Sequence, residues 1–202
     1  MPILVASLLI SLIQFEALAE EKLSYAPKLG ARLSTGLLQN QGTIRGDTPT
    51  VGGLNLSYFH FPTRQWGIGA GYRAEFDYVK KSLPFSGLVL ATRWYFYGAG
   101  TRVDSVNEGL RSETLDDYGF YVGPQVGLSN YYFGLNPADK NKTDVLEGSF
   151  LGAELTGGMD FRLNRKFELN AEGVVGIFSF ARSDDRFRIR VFLFNFGISY
   201  LW

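Results

Sequence analysis

From Leu29 onward, large apolar residues recur at every second position, and the charges fall in the gaps between them. The segment Trp66–Tyr78 is the clearest case. Trp66, Ile68, Ala70, Tyr72, Ala74, Phe76 and Tyr78 share one parity, and Gly67, Gly69, Gly71, Arg73, Glu75 and Asp77 share the other. A two-residue period is that of a strand, whose side chains alternate between faces; a helix would spread the same residues around its circumference. Leu151–Leu163 repeats the contrast, setting Leu151, Ala153, Leu155, Met159 and Phe161 against Glu154, Thr156, Asp160 and Arg162. Further alternating segments run through Leu29–Leu37, Leu54–Tyr58, Leu88–Phe96, Gly119–Ser129, Phe167–Ile177 and Phe192–Trp202. Eight strands result, close to the roughly 9–11 residues a tilted membrane strand needs.

The polarity of the pattern is that of a protein in lipid, with the apolar parity outward and the charged parity inward. After residue 20 no apolar run approaches the length of a spanning helix; the nearest, Leu88–Ala99, is interrupted by Arg93. A chain that crosses a bilayer without such a helix must close its sheet, because lipid satisfies no open edge. The fold class is therefore all-β, an eight-stranded antiparallel up-and-down transmembrane β-barrel. A soluble ligand-binding barrel would show the opposite polarity.

The connections orient it. Phe61–Gln65 and Asn164–Lys166 are tight and belong on the periplasmic side, whereas Leu38–Thr50, Val79–Phe85, Tyr132–Gly148 and Arg182–Arg188 are longer and belong outside. Residues 98–117 break the rule and are expected to form a periplasmic insertion. An aromatic girdle is expected at the periplasmic strand ends from Tyr58, Trp66, Trp94, Phe96, Phe161, Phe167, Tyr200 and Trp202, joined by Phe120. Phe76, Tyr78, Phe85, Tyr132, Phe150 and Phe192 are expected to ring the outer end.

The N-terminus supplies the compartment. Residues 1–15 are almost wholly apolar, and Glu16-Ala17-Leu18-Ala19 offers an Ala-x-Ala cleavage pattern before Glu20. Residues 1–19 read as a signal peptide, although no Lys or Arg precedes the apolar run, and residues 20–202 read as the barrel. Cysteine is absent, which excludes disulfides, thiolate metal sites and a cysteine nucleophile. Basic and acidic residues balance at 20 each, so nucleic acid is not an expected partner.

A family resemblance rests on particular residues. Phe192–Trp202 alternates aromatics to the end of the chain and resembles the terminal signal read by barrel-assembly machinery, with Trp202 where Phe is usual. Ala91-Thr92-Arg93-Trp94-Tyr95-Phe96 and Tyr121-Val122-Gly123-Pro124-Gln125-Val126-Gly127 resemble the middle of the OmpA/OmpX/OmpW-like small outer-membrane β-barrel superfamily. The resemblance covers nearly all of residues 20–202. It implies a place in the outer membrane of a Gram-negative envelope, contact with outer-membrane lipid and lipopolysaccharide, and delivery to the assembly machinery through Phe192–Trp202. The 98–117 segment is longer than the family's usual turn.

Candidate chemistry is confined to the inward parity. Arg32, Arg73, Glu75, Asp77, Arg93, Glu154, Asp160, Arg162, Glu168 and Glu172 are expected to form a lumen charge network, since charges in a narrow interior must be paired or hydrated. The sharper alternative is an ion gate built from the same residues. Tyr95, Tyr121, Phe59 and Phe178 also point inward and obstruct a pore, and eight strands enclose little more than side chains. His60 is the only histidine; it shares outward parity with Tyr58 at the periplasmic end, away from an outer-leaflet lipid substrate. No catalytic residue, cofactor or metal is expected. The leading reading is a non-enzymatic structural or interaction protein that meets an envelope partner through its loops or its periplasmic insertion. A narrow channel for ions or small solutes is the alternative, and a lipid-modifying enzyme comes third.

Overall fold

The computed structural model describes residues 22–40, 48, 50–78, 85–107, 110–134, 145–180 and 188–202. The leader expected over 1–19 and the tips of the outer links lie outside these residues. So do the side chains of Tyr132 and Phe178.

Alternation builds strands along nearly the whole described chain. They are β1 (Lys22–Tyr25), β2 (Lys28–Asn40), β3 (Thr50–His60), β4 (Trp66–Asp77), β5 (Phe85–Tyr97), β6 (Val103–Asn107), β7 (Leu110–Thr114), β8 (Tyr118–Gly134), β9 (Val145–Arg162), β10 (Phe167–Phe180) and β11 (Arg188–Leu201). Eight of them close an antiparallel barrel in the order β2-β3-β4-β5-β8-β9-β10-β11. The seam joins the first barrel strand to the last, from Lys28 opposite Leu201 to Asn40 opposite Ile189. No barrel edge is left to lipid.

Burial follows parity and is inverted relative to a soluble protein. On β2, Leu33 is 70% exposed on the outer face while its neighbour Arg32 is 2% exposed inside. The two short turns lie at one end. Asn164 Oδ1 accepts from the backbone N–H of Lys166 at 2.8 Å and of Phe167 at 3.0 Å, and so holds the β9–β10 turn. Thr63 Oγ1 accepts from the N–H of Trp66 at 3.1 Å in the β3–β4 turn.

Two sequence expectations are corrected, and a third gains detail. The link Tyr132–Gly148 is partly strand. β8 runs 17 residues and β9 runs 18, paired as far as Gly134 opposite Val145, because Tyr131-Tyr132-Phe133 keep a strand-forming composition past the membrane. Phe85 and Phe150 are not part of an outer ring. Both are fully buried in the lumen, since they share inward parity with Val89 and Glu154. The insertion expected over residues 98–117 is folded. It contains the β6–β7 hairpin, and β6 pairs with β1 from Lys22 opposite Val106 to Tyr25 opposite Val103. A three-stranded sheet, β1-β6-β7, thus stands at the short-turn end.

Candidate functional site

The lumen is stratified along the barrel axis, as the inward residues of β2 show: Lys28, Arg32, Ser34 and Leu38 in ascending order from the short-turn end. At the bottom Lys28, fully buried, places its Nζ 2.6 Å from Asp160 Oδ2 and 2.6 Å from Glu168 Oε2. Tyr95 donates its hydroxyl to the same Asp160 oxygen at 2.6 Å, and Asn170 Nδ2 donates to Asp160 Oδ1 at 2.5 Å. Arg162 completes the layer by pairing with Glu168.

The middle layer centres on Glu172. Its Oε2 accepts from Arg93 Nη2 at 2.6 Å and from the Tyr121 hydroxyl at 2.8 Å. Its Oε1 accepts from Asn195 Nδ2 at 2.9 Å and lies 4.0 Å from Arg32 Nη1. The Arg93 guanidinium is held between the rings of Phe59 and Tyr121, at 4.1 and 4.2 Å from their centroids. That stacking fixes its plane as well as its charge. Above it, Arg73 Nη2 donates to Glu154 Oε1 at 2.7 Å, and Gln125 Nε2 donates to Glu154 Oε2 at 2.6 Å. Ser34 donates to Glu75 at 2.7 Å, and Asp77 is buried nearby on the inner face of β4.

Every residue of the expected charge network therefore lies inside the barrel. Arg32, Arg93 and Glu172 meet in one cluster, Arg73 and Glu154 in a second, and Asp160, Arg162 and Glu168 in a third. Lys28, which joins the third, was missed by the sequence reading. Its signal was parity, because it lies two residues before Gly30 and four before Arg32. The sequence reading also missed the top of the lumen. There Leu38, Val51, Phe85, Phe150, Val174, Ile189, Val191 and Leu193 form a buried apolar cluster. All of them have inward parity, and none carries a charge to mark that face.

The short-turn mouth is covered. After β5 the chain turns at Gly98, whose φ of 71° suits glycine, and crosses the mouth. The N–H of Gly100 donates to the Arg64 carbonyl at 3.0 Å. A Cβ at Gly100 would lie 2.4 Å from the Phe61 ring and 2.5 Å from the Tyr95 ring, so glycine allows this close crossing. Thr101, fully buried, donates its hydroxyl to the Ala26 carbonyl, and the Ala26 N–H donates to the Arg102 carbonyl at 3.1 Å. Tyr25 packs on the cluster of Phe59, Phe61, Val89, Ala91, Tyr95 and Tyr121. Ion pairs then tie the sheet to the two turns: Arg165 Nη1 to Glu113 at 3.8 Å and Arg64 Nη2 to Asp116 at 2.5 Å. Such exposed pairs contribute at most about 1 kcal/mol each, so packing rather than charge holds the cap.

The outer surface carries the expected girdle residues at the short-turn end. Tyr58, Trp66, Trp94, Phe96, Phe161, Phe167 and Trp202 are exposed, and Tyr200 is half-buried. Trp66 stacks near Trp94 at 6.3 Å, and Phe167 meets Tyr200 at 5.4 Å. His60 is exposed on this outer face, opposite Ile68. Among the described residues, no group of three or more His, Cys, Asp or Glu is disposed to hold a metal ion.

No protein-family model and no curated protein matches the chain. Solved structures do. Neisserial surface protein A aligns over 90% of this chain and 99% of its own, at 10% identity and a TM-score of 0.54. The attachment invasion locus protein of Yersinia pestis aligns over 89% and 99%, at 14% identity and a TM-score of 0.47. The N-terminal β-barrel domain of OprF from Pseudomonas aeruginosa aligns over 86% and 97%, at 11% identity and a TM-score of 0.47. At these identities the likeness is one of fold. A closed antiparallel barrel with an apolar exterior and a charged interior is the outer-membrane solution to crossing lipid, and the chain has the fold of the small eight-stranded outer-membrane β-barrels.

Proposed function

We propose that this barrel is a non-enzymatic structural or interaction protein, with its short turns in the periplasm, that meets an envelope partner through the β1-β6-β7 sheet. The observation that supports this reading is the packing of buried side chains near both ends of the lumen among the described residues. The apolar cluster around Phe85 and Phe150 fills the loop end, and Tyr25, Phe61, Tyr95 and Lys28 fill the other. The layers around Glu172 and around Arg73 and Glu154 occupy the space between. A route for solute would have to break all of these contacts together. The sheet, by contrast, is surplus to the barrel, since every barrel strand already has two neighbours without it. Its β7 strand is exposed from Arg111 to Thr114.

Two measurements test this. Purified protein in planar bilayers should give at most small, rare conductance events. Steady large conductance, enlarged further by Tyr95→Ala, would overturn the closed-lumen reading in favour of a channel. Separately, a photo-reactive residue at Arg111 should cross-link to a protein in intact cells, while one at Leu90, on the lipid face, should not. Replacing residues 103–115 with a short Gly/Asn turn should leave the heat-modifiable barrel intact and abolish cross-linking from a second probe at Ser24. A cross-linking pattern unchanged by that replacement would sink the contact role.

A further inference from the structure

Outside the lumen, a cleft of about 510 Å³ lies at the short-turn rim, lined by Arg64, Gln65, Tyr97, Gly98, Leu115, Asp116, Asp117 and Tyr118. Three separate irregularities of the chain shape it. The first is a register shift between Tyr95 and Tyr97 in the β5–β8 ladder, where Tyr95 opposes Tyr121 but Tyr97 opposes Phe120. Tyr97 would otherwise share inward parity with Arg93 and Tyr95. The bulge turns it out, so Phe96 and Tyr97 are both exposed on the outer face. The second is Gly98, in the left-handed region, where a Cβ would lie 2.1 Å from the Tyr118 carbonyl oxygen. The third is the return of the chain through Leu115-Asp116-Asp117 after β7, anchored where the Asp117 carbonyl accepts from the Arg162 N–H at 2.7 Å.

The lining combines both charge signs with a flat aromatic wall. Tyr97 and Tyr118 stack at 5.6 Å with planes 8° apart, and both rings meet Phe120 at 6.1 Å. This wall is continuous with the aromatic girdle and so lies at the depth of lipid head groups. Arg64 uses Nη2 on Asp116. Asp117 is exposed and forms no ion pair among the described residues. The cleft thus holds a guanidinium, a carboxylate bound to it and a second carboxylate beside them, with Leu115 and the tyrosine wall completing its lining.

We infer that this cleft binds one phospholipid of the periplasmic leaflet whose head group carries both a phosphate and a primary ammonium. Arg64, with Nη2 on Asp116, offers its remaining N–H donors to the phosphodiester. Asp117 takes the ammonium, which has three N–H donors to offer. The tyrosine wall packs the glycerol end, as interfacial aromatics do. A head group with phosphate and no ammonium leaves Asp117 facing an anion. A quaternary ammonium keeps the charge but donates no hydrogen bond. The inference rests on the short turns facing the periplasm and does not depend on a protein partner.

The test uses the full-length protein folded into vesicles of phosphatidylethanolamine, phosphatidylglycerol and phosphatidylcholine in equal amounts, then extracted in mild detergent, with the retained lipid quantified by mass. Phosphatidylethanolamine should be enriched roughly threefold over the other two, the scale of one partly exposed charge-assisted contact. Asp117→Asn should return the ratio to that of the vesicle, and Arg64→Gln should lower retention of all three lipids at this site. Arg111→Gln, on the far strand of the cap, should keep the enrichment. All three variants are compared only as heat-modifiable, folded protein. No enrichment in the unmodified protein, or an enrichment that survives Asp117→Asn, would overturn the assignment.

Discussion

Replacing Glu172 with leucine should destabilise the barrel by about 3–5 kcal/mol, because it leaves buried arginine charge without its counter-ion. Glu172 is 3% exposed and accepts from Arg93, Tyr121 and Asn195, with Arg32 4.0 Å away. After the substitution Arg32 still has the Ser57 hydroxyl at 3.2 Å, while Arg93 loses its direct ion pair and keeps the faces of Phe59 and Tyr121 and the longer-range attraction of Asp160. The measurement is the urea midpoint of the heat-modifiable band for protein folded into vesicles. Joining Arg93→Met to Glu172→Leu should recover part of the loss, since a buried pair removed whole costs less than one broken. A Glu172→Leu midpoint matching that of the unmodified protein would show that the lumen is hydrated well enough to hold a lone arginine. The closed-lumen reading would then fail as well.

Ala70→Arg should impair insertion by about 2–4 kcal/mol, the cost of a guanidinium on the lipid face near the middle of the membrane. Ala70 is exposed in the centre of β4, opposite Tyr58 on one side and Leu90 on the other. The matched lumen control is Asn55→Ser, a polar exchange on the inner face of β3 opposite Arg32 and Arg73, which should be tolerated. Parity alone would nominate Gly71→Ser as the control. A Cβ at Gly71, however, would lie 2.8 Å from the Leu56 carbonyl oxygen, so backbone would have to move. The yield of folded, protease-resistant barrel in cells and in vesicles checks both. Equal tolerance of Ala70→Arg and Asn55→Ser would dissolve the assignment of faces.

The sequence by itself determined the eight barrel strands, the face a side chain takes wherever the ladder is regular, and that the two short turns share one end. These follow from local rules. A two-residue period admits one secondary structure, and a charge on one parity opposite Leu, Ile or Phe on the other admits one polarity in lipid. Arg93 between Thr92 and Trp94 is inward whatever surrounds it. Pairing is a different matter, because it joins residues far apart in the chain. That Glu172 collects Arg93 and Arg32, or that Lys28 reaches Asp160 across 132 positions, depends on the register of eight strands around a closed circle. A shift of two residues in one strand preserves every face and changes those partners. Parity also fails wherever the ladder is irregular. The bulge at Phe96 reverses the face expected for Tyr97. Phe85 and Phe150 keep their inward parity, and only their aromatic character near strand ends makes them look like girdle residues. The cap is the strongest case. Lys22–Tyr25 and Val103–Asn107 are 4 and 5 residues long, too short to show a period, and Lys22–Tyr25 is a strand only through its pairing with Val103–Asn107. Only once β2 and β5 have brought their ends to the same mouth can the two segments pair, so the tertiary structure decided that residues 98–117 form a folded lid.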